Sequence, residues 1–228
     1  MMKTKLFYLL VFLHEALFGQ LVPDDISRMK NKMESMTNYS CDIQYKLYSR
    51  TIASSPIEVK SGFLLHNNQN SLFEIGELIT INTSKYLIKV DTIQKIISVA
   101  NANRQQQNDF DLNKYLEGNF DIEFEGAYNT NKVYRYKPQQ LSTLQYLNIY
   151  IDTATFLLNK IVLFYNLPNV ESSNGVSFSS PVIEITYSNY VQNRVTESMV
   201  DEENYLHFKE DEITPSGRYS NYQIYKLF

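Results

Sequence analysis

The side chains able to do chemistry are few and scattered. Among 228 residues there are three histidines and one cysteine. His66 stands among asparagines in a turn-like stretch, and His207 flanks Phe208 in a late strand pattern. Neither has a G-x-S-x-G nucleophile motif beside it, and no P-loop or dinucleotide glycine pattern occurs. Cys41 falls on the apolar side of an alternating run, where a thiol is expected to be a buried structural residue and not a nucleophile. A lone cysteine also excludes an intramolecular disulfide framework and a multi-cysteine zinc site. The acidic runs Asp201-Glu202-Glu203 and Glu210-Asp211-Glu212 offer hard oxygen ligands, but no spaced ligand loop accompanies them, so solvated turns are expected. The reading is of a non-enzymatic protein with no metal ligands and no cofactor.

The elements that surround these residues point to β structure. Apolar residues make up 43 % of the chain and aromatics 14 %, enough for a sizeable core. Eighteen tyrosines, thirteen phenylalanines and only seven glycines suit strands with half-buried faces. Charges number 21 positive against 25 negative, a net of −4, so there is no basic field to hold nucleic acid phosphates.

At the N-terminus, Lys3 and Lys5 precede the uncharged run Leu6–Leu13. A basic start and a short apolar stretch form the layout of a secretory signal peptide, and spanning a bilayer would take about 20 apolar residues. Residues 1–20 are assigned to that peptide and residues 21–228 to a single β domain, exported and mildly acidic.

Beyond it, Pro23, Asp24 and Asp25 open a helix with Ile26, Met29, Met33 and Met36 at helical spacing. Methionine is flexible enough to adapt to an irregular partner, so this stripe can dock on a sheet or act as a lid over a hydrophobic ligand. Strand patterns then follow at short intervals. Cys41, Ile43, Tyr45 and Leu47 alternate with Asp42, Gln44 and Lys46. Phe63 and Leu65 are placed on the same apolar face. Hairpin signals separate Tyr86–Val90 from Ile96–Ala100, and the amide-rich Asn101–Asn108 reads as a loop before a short helix at Asp109–Leu116. Val170–Ser180 reads as a polar loop. Roughly ten strands in one antiparallel sheet are expected.

The order of these segments resembles a known family. Ser61-Gly62-Phe63-Leu64-Leu65 is followed by Ile79 to Asp91 and then Gln94 to Val99. That run is similar to the strand, turn, apolar strand, Asp turn and Lys-flanked strand of periplasmic outer-membrane lipoprotein carrier proteins. Val133 to Pro138, Leu147 to Asp152, Leu157 to Leu163 and Ile183 to Tyr190 fit that family's later strands. The resemblance covers roughly residues 25 to 190. The chain departs from the family at Asn82-Thr83-Ser84, where an Asp-Gly turn is usual. It departs again at Leu72-Phe73-Glu74-Ile75, which lacks the family's arginine, so a lid-latching arginine does not carry over.

The resemblance implies a curved antiparallel sheet, an unclosed half-barrel covered by helices. Its concave face would hold the acyl chains of a lipid or acylated lipoprotein, each buried CH2 adding about 0.8 kcal/mol. The groove would be lined by Ile43, Tyr45, Leu47, Phe63, Leu65, Ile149, Ile151, Ile183, Ile185 and Tyr187, with Met29, Met33 and Met36 beneath the lid. Membrane-associated donor and acceptor proteins, a monomeric state and a Gram-negative-type periplasm would go with that role. The alternative is an envelope structural or interaction protein with a filled core. In that reading Arg218, Tyr219, Tyr222 and Tyr225, residue types enriched at interfaces, bind a protein partner.

Overall fold

The computed structural model describes residues 21–50, 52, 55–68, 70–102, 120–140, 142–167, 170–171, 177–178, 180–209 and 212–227. The expected signal peptide and the short helix expected at Asp109–Leu116 lie outside the described residues.

The first described element is a helix, α1 (Leu21–Ser35). Six strands follow: β1 (Asn38–Tyr48), β2 (Glu58–Asn67), β3 (Asn70–Ile75), β4 (Leu78–Asn82), β5 (Tyr86–Asp91) and β6 (Ile96–Asn101). The second run comprises β7 (Phe120–Tyr128), β8 (Asn131–Pro138), β9 (Leu144–Asp152) and β10 (Leu158–Tyr165). A two-residue pair, β11 (Val170–Glu171) with β12 (Ser177–Phe178), lies within the stretch expected to be only loop. Next come β13 (Val182–Gln192), the hairpin β14 (Leu206–Lys209) and β15 (Glu212–Pro215), and finally β16 (Gln223–Lys226).

Twelve of these strands form one curved sheet in the order β16-β6-β5-β4-β3-β2-β1-β13-β10-β9-β8-β7. It has two free ends and does not close into a barrel. The fold is thus mainly β, an unclosed half-barrel as expected, with both runs of strands sharing one sheet through the β1–β13 pair. Every pairing is antiparallel except β16 on β6, which is parallel. Two aspartate turns shape the sheet. Asp91 Oδ1 accepts the N–H groups of Ile93 and Gln94, and Asp152 Oδ1 accepts those of Ala154 and Thr155. Each turn ends on a positive-φ residue, Lys95 or Phe156.

The two halves of the sheet bury opposite faces. Strands β7–β10, β13 and β1 bury the face against α1, where Met29, Ile43, Ile149, Ile161 and Ile185 share one cluster. Strands β2–β6 bury chiefly the other face, on which Leu72, Ile79, Ile81, Ile88, Val90, Ile97 and Val99 meet Val195, Val200, Tyr205, Leu206 and Tyr219. The cover there is the C-terminal segment from Asn193 onward. Its start is held by Asn38, which accepts the Val195 N–H at 3.0 Å and donates to the Val195 carbonyl at 2.6 Å. Asn67 donates to the same carbonyl at 3.2 Å.

This cover decides the tyrosine-rich tail. Tyr219 is 2 % exposed and stacks with Tyr205 at 5.1 Å between ring centroids, while Arg218 sits over the Tyr219 ring at 4.9 Å. Tyr222 packs against the same cluster, and Tyr225 alone of the four expected interface residues projects as an exposed ring. His66 is half-buried within β2, beside the Tyr39 ring at 5.1 Å, and not in a turn. Desolvation lowers its pKa. Cys41 is 2 % exposed, and burial pushes its thiol up to about 12, as its place on the apolar face of β1 implied.

Candidate functional site

The apolar floor under α1 is built from alternate residues of five neighbouring strands. Tyr134, Ile149, Ile161, Ile185 and Tyr45 lie side by side in one row across β8, β9, β10, β13 and β1. Tyr136, Leu147, Leu163, Ile183 and Leu47 make a second row. Because strand side chains alternate between faces, the polar partners of these residues turn outward. There Glu184, 8 % exposed, lies 3.4 Å from both Lys46 and Lys160.

Of the groove residues inferred from sequence, Ile43, Tyr45, Leu47, Ile149, Ile151, Ile183, Ile185 and Tyr187 therefore share the helix face. Phe63 and Leu65 do not. The β1–β2 register sets Phe63 opposite Asp42 and Leu65 opposite Ser40, on the face covered by the C-terminal segment. Gly62 and Leu64 take the helix face instead, opposite Ile43 and Cys41. Alternation within β2 groups Val59, Phe63 and Leu65 on one face, but only the pairing register tells which side of the sheet that face lies on.

Met29 is fully buried in the helix-face cluster and Met33 packs against it, with Ile26 beside them. Met36 is buried at 4 % exposure but follows the end of the helix, its N–H bonded to the Met33 carbonyl, so it is not on the underside of α1. The group missed from sequence is Asp25. It stands four and eight residues before Met29 and Met33, on the same stripe of the helix. Its carboxylate is buried, 8 % exposed, and one oxygen is met by Lys132 Nζ at 2.6 Å and by the Tyr134 hydroxyl at 2.5 Å. Burial raises the Asp25 pKa, but the bonds from Lys132 and Tyr134 and the charges of Lys132 and Arg28 outweigh it, and the net shift is downward. Next along β8, Tyr136 is wholly buried, and its hydroxyl has no hydrogen-bond partner among the described residues.

The helix face continues beyond α1. Phe73 and Ile75 belong to the same cluster as Met29 and also line an opening of about 140 Å³ with Leu78, Thr80, Lys89 and Ile96. Its walls are mainly apolar, and Leu78 at its lip is 48 % exposed. No group of residues able to hold a metal ion occurs among the described residues.

No protein-family model matches the chain, and no curated protein matches its sequence. Solved structures do match its shape. A conserved protein of uncharacterized role from Thermus thermophilus superposes with a TM-score of 0.54 at 11 % identity, covering 91 % of this chain and 99 % of that one. What this match shows is the fold. The other similar structures include the lipoprotein LppX of Mycobacterium tuberculosis, at TM-score 0.43 and 10 % identity, covering 78 % and 97 % of the two chains. A LolA superfamily protein from Nitrosomonas europaea is similar at TM-score 0.34 and 10 % identity, covering 77 % and 97 %.

Proposed function

We propose that the protein is an exported carrier that holds the acyl chain of a lipid or acylated lipoprotein between α1 and the sheet. The observation behind this reading is the helix face itself: an apolar floor roofed by a methionine-lined helix, running through Phe73 and Ile75 into an open apolar hollow of about 140 Å³. A single helix fixed by a few side chains is a cover that can move. When it does, a floor of Ile, Leu and Tyr replaces water around a chain of CH2 groups, each contributing about 0.8 kcal/mol. With the helix in place the same surface is kept from aggregating.

On this reading residues 1–20 direct export, the compartment is a periplasm, and the chain works between membrane-associated donor and acceptor proteins. Among the described residues no helix is long and apolar enough to cross a membrane. A second reading, an envelope interaction protein with a filled core, has one observation in its favour. The floor beneath α1 is closed, with Ile149, Leu147 and Met29 at 0 % exposure.

Native mass spectrometry of the exported chain, purified without detergent, separates the two. The expected result is a discrete adduct of acyl-lipid mass that is lost on denaturation. A bare protein mass with no uptake of added phospholipid would overturn the carrier reading and favour the filled core.

A further inference from the structure

We infer that the site under α1 is built for an amphiphile with an anionic head, a carboxylate of the fatty-acid type, and that Asp25 is an internal stand-in for that head. The inference rests on the carrier reading above and adds the class of ligand. Lys132, Tyr134 and Tyr136 occupy alternate positions of β8 and so project from one face, opposite Ile151, Ile149 and Leu147 of β9. In the closed protein two of them are spent on one carboxylate oxygen, that of Asp25. The third, Tyr136, is buried with a hydroxyl that has no partner among the described residues, an arrangement that costs free energy unless something else uses it.

The layout of α1 matches that of the proposed ligand. A buried carboxylate at Asp25 is followed along the same stripe by Ile26, Met29 and Met33, an apolar track about 10 Å long at 1.5 Å per residue. If the helix withdraws without replacement, the buried Tyr134 hydroxyl loses its acceptor, and Lys132, 38 % exposed in its side chain, is left to water alone. An incoming carboxylate restores both bonds and brings Tyr136 a partner as well. A neutral alcohol of equal chain length fills the floor and can accept from Lys132, but it forms no ion pair there and only a neutral bond with Tyr134, whereas a bond to a carboxylate is roughly twice as strong as a neutral one. Asp25 and the ligand head therefore compete for one set of donors, which ties release of the helix to arrival of an anion.

Dodecanoate and 1-dodecanol, bound at neutral pH and followed by calorimetry, test this. The wild type is expected to take dodecanoate about tenfold more tightly than the alcohol. Asp25→Asn should widen that ratio, since it removes the competing charge, and Tyr136→Phe should narrow it. The exchanged pair Asp25→Lys with Lys132→Glu keeps an ion pair for the fold, checked by circular dichroism, and should prefer dodecylammonium. Equal affinity of the wild type for acid and alcohol overturns the anion assignment and leaves the carrier reading standing. So does an Asp25→Asn gain shared equally by both, which would reflect only a loosened helix. Binding of neither probe removes both readings.

Discussion

Asp25 shows how one side chain can join two elements. A carboxylate out of water needs compensation, and here a lysine and a phenol on β8 supply it. Because those contacts hold its folded-state pKa below the unfolded value, the stability it contributes is present above about pH 4 and is lost as pH falls through the folded value. Urea midpoints measured from pH 7 down to pH 3 should therefore decline more steeply in acid for the wild type than for Asp25→Asn. Coincident curves would mean that the carboxylate does not clasp the helix. The residue was legible only in part. Its helical position before Met29 and Met33 is plain, but an aspartate read as opening the helix at Pro23 suits the helix dipole, whereas the helix starts at Leu21 and the nearness of β8 gives Asp25 its role.

At the scale of elements, the strand register carries the arrangement. Gly62 on β2 is the most crowded glycine among the described residues, since a Cβ there would lie 1.8 Å from the Glu74 carbonyl oxygen of β3. Gly62→Ala must push those two strands apart, and a loss on the order of 3 kcal/mol is expected in urea unfolding. A loss below 0.5 kcal/mol, roughly that of an ordinary surface change, would show that β2 and β3 can separate freely. The same strand explains the misplaced groove residues. In β1, alternation of Cys41, Ile43, Tyr45 and Leu47 with polar residues states which side is buried, and the structure agrees. In β2, Phe63, Leu64 and Leu65 run consecutively, so nothing local says which of them faces the helix.

Across the whole molecule, the C-terminal segment acts as a second cover on the sheet, opposite in face and half to α1. Without it Ile81, Ile88, Ile97 and Val99, all 0 % exposed, would meet water as one apolar patch. A chain ending at Gln192 is expected to bind more of the dye ANS than the full chain and to aggregate. A monomeric truncated chain with unchanged dye binding would mean that the segment is dispensable. Tyr205, Tyr219 and Tyr222 thus serve intramolecular packing, a use that their residue type shares with protein interfaces.

Hydrophobic periodicity by itself determined the strand-rich class, the methionine stripe of α1, the aspartate turns and the apolar face of β1, because these depend on spacing along the chain and on local hydrogen bonds. The half-barrel was implied by the family resemblance that the order of segments carried. Tertiary structure alone decided that the two halves of one sheet bury opposite faces, that Phe63 and Leu65 belong to the C-terminal cover, and that Asp25 meets Lys132 and Tyr134. Those outcomes depend on which of several adequate apolar surfaces pack together and on a contact between residues 107 positions apart. Such contacts leave no periodic trace in the sequence, since their free energy arises only when distant segments exclude water from one another.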